Sequence, residues 1–149
     1  MGIMSRGLLL VALIATLQAE ILYKQTIHEN YGQIEAVDND FTGEVVGYAE
    51  FRINPEDSSA YIALLRVFQG YQKKGIGAEL LTKALYYIRT RGCKQITLIA
   101  SPYTKEISIK KLVEFYRRFG FEVFPEEKKR ELDRGIESFS SCHMIAKND

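Results

Sequence analysis

Short runs of alternating apolar and polar residues fill the first half of the chain, with the period of two that is typical of β-strands. Three such regions stand out, at residues 20–38, 44–53 and 61–68. Dense turn signals separate them at residues 38–43 and 54–58, where Asp, Asn, Gly, Pro and Ser cluster. We therefore expect antiparallel strands, joined by hairpins, over this half of the chain.

The alternation also predicts which side chains share a face of a strand. Over residues 44–53 it places on one face Val45, Ala49, Phe51 and Ile53, and on the other Val46, Tyr48, Glu50 and Arg52. The run at residues 61–68 is apolar almost throughout, which is typical of a strand that is buried on both faces.

Beyond a glycine-rich turn the hydrophobic period lengthens to about 3.5 residues, which indicates helices. One apolar stripe extends over residues 76–88 before Gly92, and a second extends over residues 112–119 before Gly120. Further strands are predicted at residues 95–100, 121–124 and 138–146. Residues 126–134 hold four acids and four bases, a composition that favours a solvated loop.

This order of elements predicts a fold of the α/β class, or α+β with a mixed sheet, in which helices pack on the sheet. The helical crossover between Val67 and Ile96 makes the two strands that it joins parallel. A chain of 149 residues without linkers or repeats is expected to form a single domain over residues 1–149.

Composition excludes several classes of protein. The 20 Lys and Arg residues nearly balance the 19 Asp and Glu residues, so there is no global field to hold nucleic acid or an anionic membrane. His28 and His143 lie too far apart for a local zinc motif, and we expect no metal. Cys93 and Cys142 are expected to be reduced and buried rather than part of a disulfide scaffold.

The first 19 residues admit two interpretations. Arg6, the ten-residue, mainly apolar stretch at 8–17 and Ala19 match a secretory signal in outline. The alternative is a buried element at the edge of the domain, since the stretch is too short to span a bilayer. We favour the second interpretation, which predicts a cytoplasmic location.

The chemistry-bearing segment lies between the strand that ends near Val67 and the first helix. Gly75 and Gly77 allow the backbone to approach a ligand, and the helix start supplies unpaired N–H groups to an anion. A P-loop would need Lys and Ser or Thr where Ile76 and Gly77 stand, and a dinucleotide-binding loop would need glycine instead of Leu80. A Gln-x-x-Gly-x-Gly pattern, formed by residues 72–77, remains.

A second block, Glu-Phe-Tyr-Arg-Arg-Phe-Gly-Phe-Glu, occupies residues 114–122. Taken in order, the two blocks and the strand between them resemble the GNAT N-acetyltransferase superfamily. The resemblance covers residues 31–146, and the poorer match of residues 1–30 implies an abbreviated amino-terminal part. It implies a GNAT-like fold, with a central mixed β-sheet, two parallel strands that splay apart, and flanking helices.

The resemblance further implies that acetyl-CoA is the cosubstrate and that a primary amine attacks it directly in a ternary complex. Backbone groups of Val67 would bind pantetheine and polarise the thioester. The pyrophosphate would be held by the following loop residues: Gln72, Lys73, Lys74, Gly75, Ile76 and Gly77. Ser108 would contact pantetheine, or would cap the second helix.

For the proton transfers, the resemblance makes Tyr116 the general acid; the alternative is a core aromatic residue. The expected base is Glu50, which could instead be a solvated carboxylate paired with Arg52; His143 and a chain of water molecules are further options. The basic residues of the second helix could approach the nucleotide end of CoA, but a solvated helix surface is the favoured interpretation; they are Lys110, Lys111, Arg117 and Arg118.

The acceptor is expected to be a small amine or a protein amine, and the fold permits a homodimer. The alternative function is a catalytically weak or inactive CoA-binding module of the same fold. A nucleotide-binding protein of another family is the third hypothesis, which the failed P-loop and dinucleotide patterns disfavour.

Overall fold

The computed structural model describes residues 20–40 and 43–148, which form a seven-stranded sheet in the order β1-β2-β3-β4-β5-β7-β6. The predicted leader or edge element at residues 1–19 lies outside the described residues. The strands are β1 (Ile21–His28), β2 (Tyr31–Asp38), β3 (Glu44–Asn54), β4 (Ser59–Val67), β5 (Gln95–Ala100), β6 (Glu122–Val123) and β7 (Cys142–Lys147). The helices are α1 (Ile76–Thr90), α2 (Ile109–Arg117) and α3 (Pro125–Arg134), with a short 3-10 helix at Ile136–Ser138.

The first four strands are antiparallel neighbours, whereas the alternation predicted three strand regions, because residues 20–38 divide into β1 and β2. Strand β3 also contains a bulge. Opposite it, Ala36 pairs with Gly47 and Val37 pairs with Val45, so Val46 is the extra residue. A bulge reverses the phase of the side chains beyond it. Val46 is therefore buried and Val45 is only partly so, and the prediction that Val45 shares the buried face of Ala49 is wrong.

Strands β4 and β5 are parallel, as the helical crossover predicted. They pair only from Ser59 to Ile62 on β4 and from Gln95 to Leu98 on β5, and they separate beyond these residues. The expectation that β4 is buried on both faces is wrong. Ala60 and Ile62 are buried on the face of the sheet that α1 covers, which we call the helix face.

The other side of β4 is accessible: Tyr61 is 38% and Leu64 is 46% exposed. Ile99 on β5 is 43% exposed beside them. We call the side of the sheet that carries these three residues the exposed face.

Helix α1 packs on β2, β3 and β4 through the stripe that the period predicted. The buried residues of this stripe are Ile76, Leu80, Leu81, Ala84, Leu85 and Ile88. Gly92 and Gly120 follow α1 and α2 with φ angles of 77° and 91°, the left-handed conformation that commonly ends a helix. Both helix ends agree with the sequence prediction.

Residues 126–134 are helical, so the predicted solvated loop is wrong. Pro125 occupies the first turn of α3 together with Glu126 and Glu127, and Arg134 lies in the last turn, all favourable positions for a helix and its dipole. The sequence of α3 lacks an apolar stripe, and none of its residues is buried. An ion pair links α3 to α2: the side chains of Glu131 and Arg117 lie 2.7 Å apart.

The last strands are shorter than predicted. Strand β6 spans only two residues, and β7 begins at Cys142 because the 3-10 helix and a turn precede it. Cys93 and Cys142 are free and buried, as expected. In the described part of the chain, none of the helices is both long and apolar enough to cross a membrane.

Candidate active site

A cavity of about 550 Å³ opens on the helix face, where β4 and β5 separate. One wall is the end of β4 with the loop and first turn of α1, and the other is α2 with the loop that follows β5. The lining residues are Leu65, Val67, Tyr71, Gln72, Lys73, Gly75, Ile76, Gly77, Ala78, Tyr103, Glu106, Ile107, Lys111, Leu112, Phe115, Tyr116 and Arg118.

The loop before α1 presents backbone N–H groups to this cavity. Lys73 and Gly75 have φ angles of 64° and 81°, a left-handed geometry that turns successive amides toward one side. Gly75 is the N-cap of α1 and no side chain caps the helix there. The N–H groups of the first turn are therefore available to an anion, as the sequence predicted.

Gly77, in the first turn of α1, lies between Val67 on β4 and Phe115 on α2. A Cβ atom at this position would lie 3.5 Å from Val67 Cγ2 and 3.9 Å from Phe115 Cζ, which are ordinary contact distances. The absence of a side chain therefore leaves open space for a ligand rather than relieving a clash within the protein.

Val67 is hydrogen-bonded by side chains where β5 would otherwise pair with it. Tyr103 donates its hydroxyl to the Val67 carbonyl oxygen at 2.9 Å and accepts the Val67 N–H at 3.4 Å. Gln72 Nε2 donates to the same carbonyl at 3.1 Å and to the Tyr103 hydroxyl at 3.2 Å. Gln72 thus ties the loop at residues 72–77 to the end of β4.

Tyr116 lines the cavity from α2 and is buried. Its ring contacts Phe115 and Phe121 edge-on, with centroid distances of 5.3 and 6.0 Å. Burial and the nearby Tyr103 raise the pKa of Tyr116, so its hydroxyl keeps its proton through the neutral and moderately alkaline range.

Positive charge prevails among the lining residues. Lys73, Lys111 and Arg118 contribute three cations against the carboxylate of Glu106. Lys111 and Arg118 line the cavity, which agrees with the alternative interpretation of these residues rather than with the favoured solvated surface. Their neighbours on α2 differ: Lys110 contacts Glu137, and Arg117 contacts Glu122 and Glu131.

Three residues that were predicted to bind the ligand or to act in catalysis lie outside the cavity lining, namely Lys74, Ser108 and Glu50. Lys74 lies over the Tyr71 ring at 5.4 Å. Ser108 caps α2 by accepting the Lys111 N–H at 3.1 Å.

Glu50 faces away from the cavity, since it pairs across the strands with Leu64 on the exposed face. Burial, together with the charge and the hydrogen bond of Glu50, raises the pKa of Tyr31. Tyr31 is thus a hydrogen-bond partner of Glu50. The alternative base His143 contacts Glu127, with Nδ1 and Oε1 3.0 Å apart.

Tyr103 is a cavity residue that the sequence did not predict. It lies three residues beyond β5 in a segment that has no periodic pattern, so no local signal marks it. Its position follows only from the parallel pairing of β4 and β5, which brings both strand ends to one edge of the cavity. Among residues 20–40 and 43–148, no group of three or more His, Cys, Asp and Glu side chains is arranged to hold a metal ion.

Comparisons with known proteins agree with this architecture. The model of the acetyltransferase (GNAT) family matches residues 13–121. An N-alpha-acetyltransferase, MAK3, from Arabidopsis thaliana is 39% identical over 61 residues. That match includes 41% of this chain but spans only 30% of the length of the relative.

Solved structures share the fold at low sequence identity. The IAA acetyltransferase from Bacillus cereus is 15% identical with a TM-score of 0.63, over 87% of this chain and 100% of that one. The crystal structure of the NatC complex bound to Gag peptide and CoA matches with a TM-score of 0.59 at 19% identity, over 78% of this chain and 71% of that one. Both likenesses support the mixed sheet with separating parallel strands as the fold.

Proposed function

The chain belongs to the acetyltransferase (GNAT) family, and from this premise we propose that it transfers the acetyl group of acetyl-CoA to a primary amine. One observation carries the proposal: the cavity joins a helix N-terminus without a side-chain cap, an excess of cations and the end of β4 from which β5 has separated. A diphosphate binds at a helix N-terminus, and a separate phosphate group binds near cations. An extended arm that carries amides can pair with the backbone at the end of a strand.

The residues present fit acetyl-CoA. Amides of Gly75, Ile76 and Gly77 would hold the diphosphate, with Lys73 of the same loop as a lining cation. Lys111 and Arg118 would meet the remaining phosphate charge. The Val67 N–H and carbonyl would pair with the pantetheine amides, as a neighbouring strand would. Lys74 supports the loop from outside the cavity, and Ser108 supports the start of α2.

Bound acetyl-CoA supplies a thioester whose carbonyl carbon the amine attacks. The acceptor would approach from the exposed face through the gap between β4 and β5, because the cofactor occupies the helix face. Preorganised backbone N–H groups near Val67 would stabilise the charge that develops on the thioester oxygen. Positioning of both reactants makes a nucleophile on the protein unnecessary.

Two side chains would manage the protons. Tyr116 would donate a hydrogen bond to the departing thiolate, since its raised pKa keeps the hydroxyl neutral. Glu50 would receive the proton of the acceptor amine through water, because it lies on the exposed face opposite Leu64, just past the last paired residues of β4 and β5. Glu50→Gln should then lower turnover by about a hundredfold with little change in acetyl-CoA binding.

The α-amino group of a polypeptide is the first acceptor class to test. The relative from Arabidopsis thaliana is named as an N-alpha-acetyltransferase, and the NatC structure contains a peptide together with CoA. Small amines are the alternative acceptors within the same reaction.

A CoA-binding module without turnover is the second candidate. It is favoured by the absence of Asp and Glu from β4 and by the engagement of Glu50 with Tyr31. The two candidates differ only in what happens after acetyl-CoA has bound.

The decisive assay follows free CoA thiol and acetylated product in parallel. Purified protein is incubated with acetyl-CoA and either a peptide with a free α-amine, the same peptide already acetylated at its N-terminus, a polyamine or an amino sugar. The proposal expects product and CoA in equal amounts with at least one free amine and none with the blocked peptide. Binding without product across the panel would favour the module.

A further inference from the structure

Asp38, at the end of β2, is the buried charged residue of the part of the chain that the structure describes, with 1% of its surface exposed. A buried carboxylate is costly unless hydrogen bonds satisfy its oxygens. Here Oδ2 accepts the Tyr71 hydroxyl at 2.8 Å, and Oδ1 accepts the Asp40 N–H at 3.1 Å. The hydrogen bond to Asp38 is also the main reason why the pKa of Tyr71 is raised.

Tyr71 connects this carboxylate to the cavity. Its ring lines the cavity and carries the Lys74 ammonium 5.4 Å from its centroid. Its backbone N–H donates to the Phe68 carbonyl at 3.0 Å, and the Phe68 N–H in turn donates to Val46 at 2.8 Å. The residue is therefore held at both ends, by the sheet through its backbone and by Asp38 through its hydroxyl.

The loop that follows needs such support. Lys73 adopts a left-handed conformation, with a φ angle of 64°, which is unfavourable for a non-glycine residue. Gln72 ties the loop to β4, on the side where the strands separate. Tyr71 ties it to β2 through a residue 33 positions earlier in the sequence. The two consecutive residues thus fix the loop from two directions.

We propose that Asp38 and Tyr71 form a positioning pair that holds the loop at residues 72–77 in the shape that receives the diphosphate of an acyl-CoA. The inference rests on the proposed function, and it assigns to Asp38 a role that neither family motif contains. Neither side chain touches the reacting atoms. The pair acts on the nucleotide half of the ligand and leaves the thioester half unaffected.

The test compares two acetyl donors that differ in the diphosphate. Acetyl-CoA carries it, and S-acetylpantetheine lacks it together with the adenosine. Titration of isotopically labelled protein, followed by NMR, measures both affinities and reports the amides of Gly75 and Gly77 directly. Tyr71→Phe should weaken acetyl-CoA binding by about three- to tenfold, the range of one lost hydrogen bond, and should change S-acetylpantetheine binding by less than about twofold.

Two controls separate positioning from general stability. Tyr87→Phe removes a hydroxyl that accepts a hydrogen bond from Arg91 at the far end of α1, and it should change neither affinity. Asp38→Asn keeps an oxygen that can accept the Tyr71 hydroxyl, and it should retain acetyl-CoA affinity within about threefold. In an Asp38→Ala background, Tyr71→Phe should have no further effect, because the shared hydrogen bond is already lost.

Three results would overturn the pair. Equal losses for both donors, unchanged affinities in Tyr71→Phe, or additive losses in the double variant would each mean that the hydrogen bond does not shape the diphosphate site. Failure of the unchanged protein to bind acetyl-CoA would instead refute the proposed function, and the positioning role with it.

Discussion

Tyr103 and Val67, 36 residues apart, are joined by two hydrogen bonds between one hydroxyl group and both backbone groups of the valine, at 2.9 and 3.4 Å. Strand β4 has already lost β5 as its partner at this point, since their pairing ends at Ile62 and Leu98. The hydroxyl thus occupies the groups to which we assign the pantetheine arm. A ligand that pairs with Val67 must displace Tyr103.

Tyr103→Phe should therefore tighten acetyl-CoA binding. The substitution removes a hydrogen-bonding competitor from the free protein and keeps the ring, so we expect affinity to rise by about two- to fivefold. Calorimetric titration of the two proteins measures the difference. Tyr61→Phe, on the exposed face, is the matched control and should leave the affinity unchanged. Weaker binding by Tyr103→Phe would mean that the hydroxyl contacts the ligand instead of competing with it.

Gly77→Glu should abolish acetyl-CoA binding, with a loss of more than about a hundredfold, because a carboxylate would enter the path of the diphosphate. Gly77→Ala is the control for folding. Its Cβ atom makes only ordinary contacts with Val67 and Phe115, so its thermal unfolding temperature should be no lower than that of the unchanged protein. Retention of full affinity by the glutamate variant would exclude this loop from the site.

Tyr116→Phe should lower kcat by about a hundredfold and leave the KM for acetyl-CoA within about twofold, because it removes a proton donor and little volume. The raised pKa of Tyr116 gives the pH dependence its sign: the hydroxyl stays protonated up to pH 10 and beyond. Rates should thus rise with pH as the acceptor amine deprotonates, without an alkaline decline from Tyr116. Equal rates for both proteins would assign protonation of the thiolate to water.

Both cysteine thiols should be unreactive in the native protein at pH 8. Burial is the main cause that raises the pKa of both, and that of Cys142 reaches about 12 with Glu127 beside it. A thiol reagent should label both in denaturant and neither in buffer. The folded protein keeps both thiols protonated at pH values where the unfolded chain has lost these protons. The free energy of unfolding should therefore fall as the pH rises past about 9. Rapid labelling of Cys142 in buffer would contradict its burial.

The fold follows from sequence wherever one side of an element is buried. The stripe of α1 and the glycines after α1 and α2 predict the helix ends because packing and left-handed caps leave periodic marks. A bulge leaves no periodic mark in the sequence, so the predicted faces of Val45 and Val46 were wrong. The charged helix α3 has no buried residue, and its composition alone could not distinguish it from a loop.

Some residues of the candidate site are likewise marked by a local sequence pattern, and others are not. The contiguous loop at residues 72–77 was recognisable because glycine spacing before a helix has a direct physical meaning. Tyr103, Asp38 and Tyr71 meet the loop through contacts that span many residues. Their pairing depends on which strands are neighbours, and this information is not contained in any local pattern.

Isothermal titration of the purified protein with acetyl-CoA measures whether the cavity binds this cosubstrate. We expect saturable binding of one ligand per chain with a Kd of about 1–100 µM, the range of ordinary cosubstrates. ATP and NAD, titrated in parallel, should bind far more weakly because they lack the pantetheine arm that pairs with Val67. If a sample with a cooperative thermal unfolding transition does not bind acetyl-CoA, or if it prefers ATP or NAD, the cavity is not an acetyl-CoA site.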